Sequence, residues 1–577
     1  METLKEGLQN GQNTARVYAK KGFFEEDVAL IAQRVSKGAF DPVPRGMIDN
    51  LPRQTSSTPK KKVMLVLPNH RWALDQEEHY TMWILFPTQI CLLAAQIEDK
   101  YDVVIVDCII DDLSEKDFEE IVRREKPDVV GLSNFTHEFS KAGHKAVDIV
   151  KSINPSTTTI MGGVYVITSP NLAIVNKNLD FAIIGEGELL IKQILAHIHE
   201  GSERPSKGLA FRDEQGRVII QERAAFNQNL DQLKYPAYHL IDYFKYSTRY
   251  QREAVSRPRA LPFARVCMTR GCPIGCTFCT VESISGGPTR YRSAEHMYGE
   301  MEMLVKKYGV KCFLFDDDNL FMNKNKANEL LQLIIDRQLN ILWMLEATAL
   351  FCMDEHTIDL CAQSGCQYLN IAIESGSERV IKEVIKKPIH FPRVKELIAK
   401  LKSVGIEINS NFVIGNPGET WDEILETIRY AEEIDIDYVK FFICTPFPKT
   451  KMFEMAKKMG YLDDSLKFDE HHWTGGTFNT PHWRAKDLAV VRAYEWDRIN
   501  FSNPKKREKI RQMLDVSMER LEQIRRATRE LANPEVAQTK KEGTELKANK
   551  YVTTKEKSAE QAKEEVIKIS VEAADHS

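Results

Sequence analysis

The chain has 577 residues, of which 43% are hydrophobic and 28% are charged, and its formal net charge is −4. This is the composition of a globular protein long enough for several domains. The small negative charge argues against a nucleic acid as the main partner, which would require a basic face. No run of about 20 apolar residues is present, so we expect no membrane span.

Cysteine usage and the amino terminus indicate the compartment. Most of the eleven cysteines fall between residues 267 and 444, which is not the spacing of a disulfide framework. The first residues lack the basic and apolar pattern of a signal peptide. We therefore expect the protein in the reducing cytoplasm.

Residues 63–200 alternate short apolar runs with segments of helical spacing, and they follow a leader, residues 1–62, in which one short helix is expected. Strands are predicted at 63–67, 103–106, 129–132, 159–161 and 181–184, and helices at 88–97, 116–124 and 141–152. This alternation predicts a parallel sheet with helices on both faces. Ligands of such sheets bind at the carboxyl ends of the strands.

Small or polar residues stand at those strand ends, and the glycines among them allow close approach of a bulky ligand. The set resembles a flavodoxin-like (Rossmann-like) cobalamin-binding domain. The resemblance implies that cobalamin contacts Ser133, Gly162, Gly163, Gly185 and Glu186. The alternative is a flavodoxin-like domain that has lost its ligand.

One motif of many cobalamin-binding domains is missing. Asp-x-His-x-x-Gly, whose histidine ligates cobalt on its lower face, does not occur. The resemblance then implies cobalt without a protein histidine on that face. His70 and Arg71, in the loop after the first strand, lie either near that face or in solvent, and solvent is favoured.

Residues 201–260 form a connector with a small hairpin, and residues 261–450 contain six apolar runs separated by helical segments. The runs are at 263–268, 312–315, 342–346, 368–373, 407–414 and 438–444. They predict a partial (β/α)6 barrel of the TIM type, whose chemistry is expected at the carboxyl ends of its strands. The fold class is therefore α/β, with a helical C-terminal region.

The first barrel strand runs into Cys272-Pro-Ile-Gly-Cys276-Thr-Phe-Cys279. Iron–sulfur clusters are held by thiolates, normally four, so three thiolates from one loop leave one iron of a four-iron cluster open. This spacing resembles the radical S-adenosylmethionine (SAM) superfamily, in its cobalamin-binding branch of class B methyltransferase-like enzymes. Zinc is the alternative, but no second CxxC or HxxxH pair follows at suitable spacing.

The resemblance implies that the [4Fe–4S] cluster binds SAM at its open iron and cleaves it to a 5′-deoxyadenosyl radical. The residues implied to bind SAM are Phe278, Glu346, Glu374, Ser375, Asn411 and Gly415. Asp316, Asp317 and Asp318 follow the second barrel strand. Three acids are typical of a divalent metal site, whereas the resemblance makes them an acidic turn beside SAM with no metal.

Residues 451–533 are expected to form a lid or a packed helical lobe, with aromatic and basic residues at 471–473 and 481–484 and helices at 485–501 and 505–531. Residues 534–577 are rich in lysine and glutamate and contain one aromatic residue. Such a segment buries little apolar surface, so we expect a disordered tail.

These features predict a cobalamin-dependent radical SAM enzyme, with methyl transfer to an unactivated carbon as the favoured reaction. The alternatives are an oxidative cyclase or ring-rearranging enzyme and, from another class, a non-catalytic sensor that binds cobalamin or a cluster. Methylthiolation of tRNA fits poorly, because the further cluster cysteines and a basic C-terminal domain are missing. The resemblance implies a low-potential electron donor, such as flavodoxin or ferredoxin, as a partner. The sequence does not name the substrate.

Overall fold

The computed structural model of the protein describes residues 60–73, 86–249, 254–462 and 476–532. Two sheets organise these residues, one before and one after the connector. The expected leader helix, the aromatic segment at 471–473 and the charged tail lie outside the described residues.

The first sheet has seven strands in the order β2-β1-β3-β4-β5-β6-β7. They are β1 (Lys62–Leu67), β2 (Asp102–Asp107), β3 (Val129–Ser133), β4 (Thr158–Gly162), β5 (Phe181–Ile183), β6 (Leu209–Arg212) and β7 (Val218–Ile220). The accompanying helices are α1 (Thr88–Ile97), α2 (Glu115–Glu125), α3 (Ser140–Ile153), α4 (Val164–Thr168), α5 (Pro170–Ala173) and α6 (Gly187–Glu200). Strands β1 to β5 are parallel, as predicted, and apolar clusters fill both faces of the sheet.

The hairpin that the sequence assigns to the connector belongs to this sheet. β6 pairs antiparallel with β5, and β7 pairs antiparallel with β6. Antiparallel strands at the edge of a parallel sheet are common in large α/β folds. The sheet therefore continues past residue 200, and the domain limits drawn from the sequence stay a prediction.

The second sheet has six parallel strands in the order β15-β14-β13-β12-β11-β8, which confirms the predicted partial barrel. They are β8 (Phe263–Val266), β11 (Cys312–Phe315), β12 (Leu342–Thr348), β13 (Cys366–Glu374), β14 (Glu407–Ile414) and β15 (Tyr438–Ile443), and a separate pair is formed by β9 (Thr269–Arg270) and β10 (Arg290–Tyr291). The helices are α7 (Tyr243–Arg249), α8 (Val281–Ile284), α9 (Ala294–Tyr308), α10 (Lys324–Asp336), α11 (Glu355–Gln363), α12 (Phe391–Ser403), α13 (Trp421–Glu433) and α14 (Lys451–Lys458).

Three helices end the described chain: α15 (Ala485–Phe501), α16 (Pro504–Leu514) and α17 (Met518–Ala532). The first was predicted, but the single helix predicted at 505–531 is wrong. Asp515 takes the left-handed conformation at φ 57° and caps α16, so the chain turns there before α17 begins. No helix in the described part of the chain is long and apolar enough to cross a membrane.

The helix α15 covers the open edge of the barrel sheet. Val439 N donates to Asn500 Oδ1 at 2.9 Å, and Asn500 Nδ2 donates to Val439 O at 2.8 Å. The Asn500 amide thus stands in for the backbone of a neighbouring strand, which is one way of protecting an edge strand.

The loop after β1 differs from expectation. His70 is 2% exposed, and its ring stacks on Phe139 with 4.6 Å between centroids. Arg71 is half exposed and lies 3.2 Å from Asp112. Solvent exposure of His70 was therefore wrong, because the loop after β3 brings Phe139 over its ring.

Candidate active site

The cysteine motif forms a loop beyond the carboxyl end of β8. Cys272, Cys276 and Cys279 are partly exposed and form no disulfide. Burial raises the pKa of the Cys276 thiol to about 11 and that of Cys279 to about 12. Asn319 Nδ2 lies 3.8 Å from Cys272 Sγ, where an amide donor suits a thiolate.

Backbone contacts fix the path of this loop. Thr277 N donates to Ile385 O at 3.0 Å, and Thr277 Oγ1 donates to Val384 O at 2.6 Å, both at the end of a π-helix (Val380–Ile385). Gly271 has φ +90°, and a Cβ there would lie 2.5 Å from Pro288 O. Only glycine fits position 271, immediately before the first cysteine of the motif.

The acidic turn after β11 supports the cysteine loop. Each carboxylate has its own partner: Arg265 for Asp316, Thr269 N–H at 2.6 Å for Asp317, and Gly271 N–H at 2.7 Å for Asp318. Burial raises the pKa of Asp317 to about 7. Among the described residues, no three His, Cys, Asp or Glu side chains converge as one metal ion would require. Each of the three carboxylates is therefore already bonded within the protein.

Three of the residues implied to bind SAM lie around the barrel interior. Phe278 packs against the apolar cluster that contains Cys444 and Met452. Glu346 on β12 and Asn411 on β14 are partly exposed although their strands are central in the sheet. Both side chains are therefore accessible from inside the barrel.

Two others are already bonded within the protein. Glu374 has φ +74°, and its Oε1 lies 2.8 Å from Lys387 Nζ, with both side chains buried. Ser375 is fully buried, and its hydroxyl lies 2.8 Å from Thr427 Oγ1. A contact of Ser375 with SAM would have to use its backbone, and the predicted role stays a prediction.

The turn after β14 is packed against the C-terminal region. Gly415 has φ +77°, and a Cβ there would lie 2.4 Å from Leu488 of α15. Trp483 is 2% exposed and donates from Nε1 to Glu419 O at 3.0 Å. The segment at 481–484 thus packs on this turn, as the packed-lobe alternative predicts.

The carboxyl edge of the first sheet carries the residues implied to bind cobalamin. Ser133 and Gly162 pair in register. Gly163 has φ +103°, and a Cβ there would lie 2.2 Å from Asn134 O. Phe135, just beyond β3, is 47% exposed. The edge is therefore close-packed at Gly163 and apolar at Phe135.

Gly185 and Glu186, the other two residues implied to bind cobalamin, differ in their surroundings. Gly185 has φ +139° and lies beside Arg223. Glu186 Oε1 lies 3.1 Å from Arg270 and 2.8 Å from Arg290, both in the cysteine-loop region. Burial alone would raise the pKa of Glu186, but these arginines lower it overall. The carboxylate of Glu186 thus bonds to the barrel domain, and no pattern in the sequence indicates these arginine partners.

Comparisons with known proteins agree with this architecture. Residues 266–431 match the Radical SAM superfamily, and residues 84–195 match the B12 binding domain. The chain is 30% identical over 397 residues to a protein of Pyrococcus horikoshii named as an uncharacterized methyltransferase, covering 68% of this chain and 83% of that protein. The chain belongs to the radical SAM superfamily, in its cobalamin-binding branch.

Other relatives of this radical SAM protein carry more specific names. It is 28% identical over 412 residues to cytidylyl-2-hydroxyethylphosphonate methyltransferase of Streptomyces wedmorensis, covering 66% of this chain and 76% of that protein. Its fold is similar to that of the methyltransferase TsrM from Kitasatospora setae (TM-score 0.58, 19% identity, 70% of this chain and 77% of that one). The fold is also similar to that of the cobalamin-dependent radical enzyme OxsB, with a TM-score of 0.63 and 15% identity over 88% of this chain and 75% of that one.

As a member of this branch, the enzyme uses a [4Fe–4S] cluster, SAM and cobalamin, and its residues fit these groups. Each thiolate of a four-iron cluster binds its own iron, so the three thiols of one loop need not converge on a single point. For cobalamin, the first sheet offers the exposed ring of Phe135 and the buried, unpartnered hydroxyl of Thr136. An unpartnered buried hydroxyl suits a polar ligand.

Proposed function

We propose that this radical SAM enzyme is a methyltransferase that transfers a methyl group to an unactivated carbon of its substrate. The observation that carries the proposal is the contact between the two cofactor modules. α8, which follows Cys279, packs against α4, which follows Gly163 of the cobalamin-binding domain. Such a contact brings the edges that hold the two cofactors together.

A second set of contacts supports the same arrangement. Lys449 Nζ donates to Ile167 O at 2.6 Å, and the rings of Phe447 and His137 stack with 6.3 Å between centroids. Beside these contacts lies a cavity of about 270 Å³, lined by Cys276 and Cys279 among others. Lys449 lines this cavity and also contacts the cobalamin-binding domain at Ile167, so the cavity lies next to the contact between the two modules.

The cofactors, when bound, supply hydrogen-atom abstraction and a transferable methyl group. The chain's own residues hold and orient them: the cysteine loop holds the cluster, and the strand ends of the barrel face SAM. Arg270 and Arg290 bind Glu186 and so fix the cobalamin-binding domain against the loop. Fixed geometry of this kind is a large part of what a protein adds to such chemistry.

The overall reaction sets the requirement for a partner. One SAM gives its methyl group and leaves S-adenosylhomocysteine. A second SAM is reduced to methionine and 5′-deoxyadenosine. The hydrogen that completes 5′-deoxyadenosine comes from the substrate C–H bond. This conversion consumes two electrons, so we propose a low-potential donor such as flavodoxin or ferredoxin, with the enzyme in the cytoplasm.

The test is anaerobic incubation of the reconstituted enzyme with SAM, cobalamin and a strong reductant. We expect both 5′-deoxyadenosine and S-adenosylhomocysteine, measured by liquid chromatography, and neither from the Cys276→Ala variant. The relatives named as methyltransferases support this expectation.

Two outcomes would overturn the proposal. Formation of 5′-deoxyadenosine without S-adenosylhomocysteine would favour oxidative cyclisation or rearrangement. Two relatives, from Rubrivivax gelatinosus and Cereibacter sphaeroides, are named anaerobic magnesium-protoporphyrin IX monomethyl ester cyclases. Absence of both products from protein with a fully loaded cluster would favour a non-catalytic sensor.

A further inference from the structure

A cysteine outside the motif lies beside the cysteine loop. Cys352 ends a short 3-10 helix (Leu350–Cys352) that follows β12. Asn319 Nδ2 lies 3.8 Å from Cys352 Sγ and 3.8 Å from Cys272 Sγ, so the two sulfurs are at most twice that distance apart. Two thiols that contact the same amide nitrogen are close enough to bind one four-iron cluster. The structure thus brings a fourth thiol to the three of the motif.

The other cysteines outside the motif do not offer such a thiol. Cys267 is partly exposed, but its Sγ donates to Thr269 O at 2.9 Å. Cys352 is partly exposed as well, and the Asn319 amide is its one hydrogen-bond partner among the described residues. A free cysteine is usually buried, so this accessible thiol needs an explanation. The remaining six are buried: Cys91, Cys108, Cys312, Cys361, Cys366 and Cys444.

Buried polar atoms next to these sulfurs have no partner. Asn319 is 2% exposed, and its Oδ1 forms no hydrogen bond within the described part of the chain. This oxygen belongs to the same amide group that contacts both sulfurs. Thr348, four residues before Cys352, is 1% exposed, and its hydroxyl is likewise unpartnered there. Such atoms are costly in a protein interior unless a ligand meets them, so they support a ligand site beside Cys352.

A buried positive charge connects Cys352 with a second cysteine of the motif. Burial raises the pKa of the Cys352 thiol, and the Asn319 amide and the Lys387 ammonium oppose part of that rise. Lys387 opposes the rise in the pKa of the Cys276 thiol in the same way. Lys387 also lies 2.8 Å from Glu374, one of the residues implied to bind SAM. Cys352 therefore neighbours the cysteine loop on the side where SAM is expected.

We infer that Cys352 is a fourth thiolate ligand of the [4Fe–4S] cluster, which it supplies to the open iron when SAM is absent. The motif provides three thiolates, whereas such clusters normally take four. Every other cysteine is buried, bonded elsewhere or already in the motif. The inference concerns the ligands of the cluster and goes beyond the proposed methyl transfer.

Binding of SAM then exchanges ligands at one iron without electron transfer. The Fe–S bond to Cys352 breaks, and bonds to the amino nitrogen and a carboxylate oxygen of SAM form. The released thiolate takes up the proton that the amino group loses, so atoms and charge balance. Between turnovers, a cluster with four thiolates presents no open iron to water or oxygen.

The test is Mössbauer spectroscopy of the anaerobic full-length enzyme, reconstituted with isotopically enriched iron and freed of small thiols. For the wild type without SAM, we expect all four irons to show thiolate ligation, and one of the four to change when SAM is added. Cys352→Ala should show one distinct iron already without SAM. Cys361→Ala is the matched control, since Cys361 is buried on α11 and should give the wild-type spectrum.

A second variant guards against misfolding of the first. Cys352→Ser is close in size to the natural residue, and it should also show one distinct iron without SAM, because oxygen replaces sulfur there. Iron content and circular dichroism verify that each protein is loaded and folded. Identical spectra of the wild type and the Cys352 variants without SAM would overturn the inference. A wild-type spectrum that SAM leaves unchanged would equally overturn it.

Discussion

Arg270 Nη1 lies 3.1 Å from Glu186 Oε1, and the same guanidinium also pairs with Glu188. Arg270 stands two residues before Cys272, whereas Glu186 lies in the turn after β5 and Glu188 in the first turn of α6, both in the cobalamin-binding domain. All three side chains are at most 16% exposed. Buried charge therefore ties the cysteine loop directly to the neighbouring domain.

We expect Arg270→Met to lower the free energy of unfolding by about 3 kcal/mol, because two buried carboxylates lose a partner. Urea denaturation of the anaerobic protein measures this change. Arg123→Met, which removes only the exposed pair with Glu119, is the matched control and should cost less than about 0.5 kcal/mol. Equal stabilities for the two variants would mean that the interdomain pairs contribute little.

The cysteine loop and the cobalamin-binding edge belong to separate modules, so their ligands should be separable. We expect Cys276→Ala to lose the iron and the brown colour of the purified protein but to keep bound cobalamin. Iron and cobalt analysis measures both. Cys312→Ala, at a core cysteine of β11, should retain both metals. Loss of cobalt together with iron in Cys276→Ala would contradict the two-module arrangement.

Gly163 allows its turn to approach the loop after β3, because a Cβ at this position would lie 2.2 Å from Asn134 O. We expect Gly163→Ala to lower cobalamin content several-fold and leave the iron content unchanged. Gly201→Ala is the control, since Gly201 also has positive φ, +69°, but a Cβ at this position would have no atom within 4 Å. That control should cost only about 1 kcal/mol of stability. Normal cobalamin content in Gly163→Ala would show that this close approach is unimportant for the ligand.

Glu419, in the turn after β14, gives a prediction about pH. It is fully buried, and burial raises its pKa to about 7. The folded state therefore keeps a proton that the unfolded chain releases above pH 4 to 5, so stability falls as pH rises towards 7. We expect Glu419→Gln, which cannot ionise, to remove up to about 3 kcal/mol of this fall. Urea titrations from pH 5 to pH 7.5 measure it, and identical pH dependence in both proteins would refute the assignment.

The sequence predicts much of the architecture, because apolar runs with β and helical periods are local signals. All six barrel strands and the parallel strands of the first sheet follow from such runs. The break at Asp515 was missed, since neither glycine nor proline marks it and helical spacing continues through it. Residues 1–59 and 533–577, by contrast, are not among the described residues, so those expectations remain untested.

The candidate site could be predicted only where chemistry and spacing coincide, as in the cysteine loop. Side-chain partners far apart in the chain gave no signal. Arg270 and Glu188, for example, are 82 residues apart. The Ser375 hydroxyl, expected from the sequence to contact SAM, lies 2.8 Å from Thr427 Oγ1, a partner that the sequence did not indicate, and its role toward SAM stays a prediction.

The pairing of Asn500 with Val439 has a consequence for shortened forms of this protein. A chain that ended before α15 would leave the backbone groups of β15 without this substitute partner. Uncovered strand edges readily recruit strands of other molecules. Truncation between the end of β15 and the start of α15 should therefore yield insoluble aggregates rather than a smaller soluble barrel.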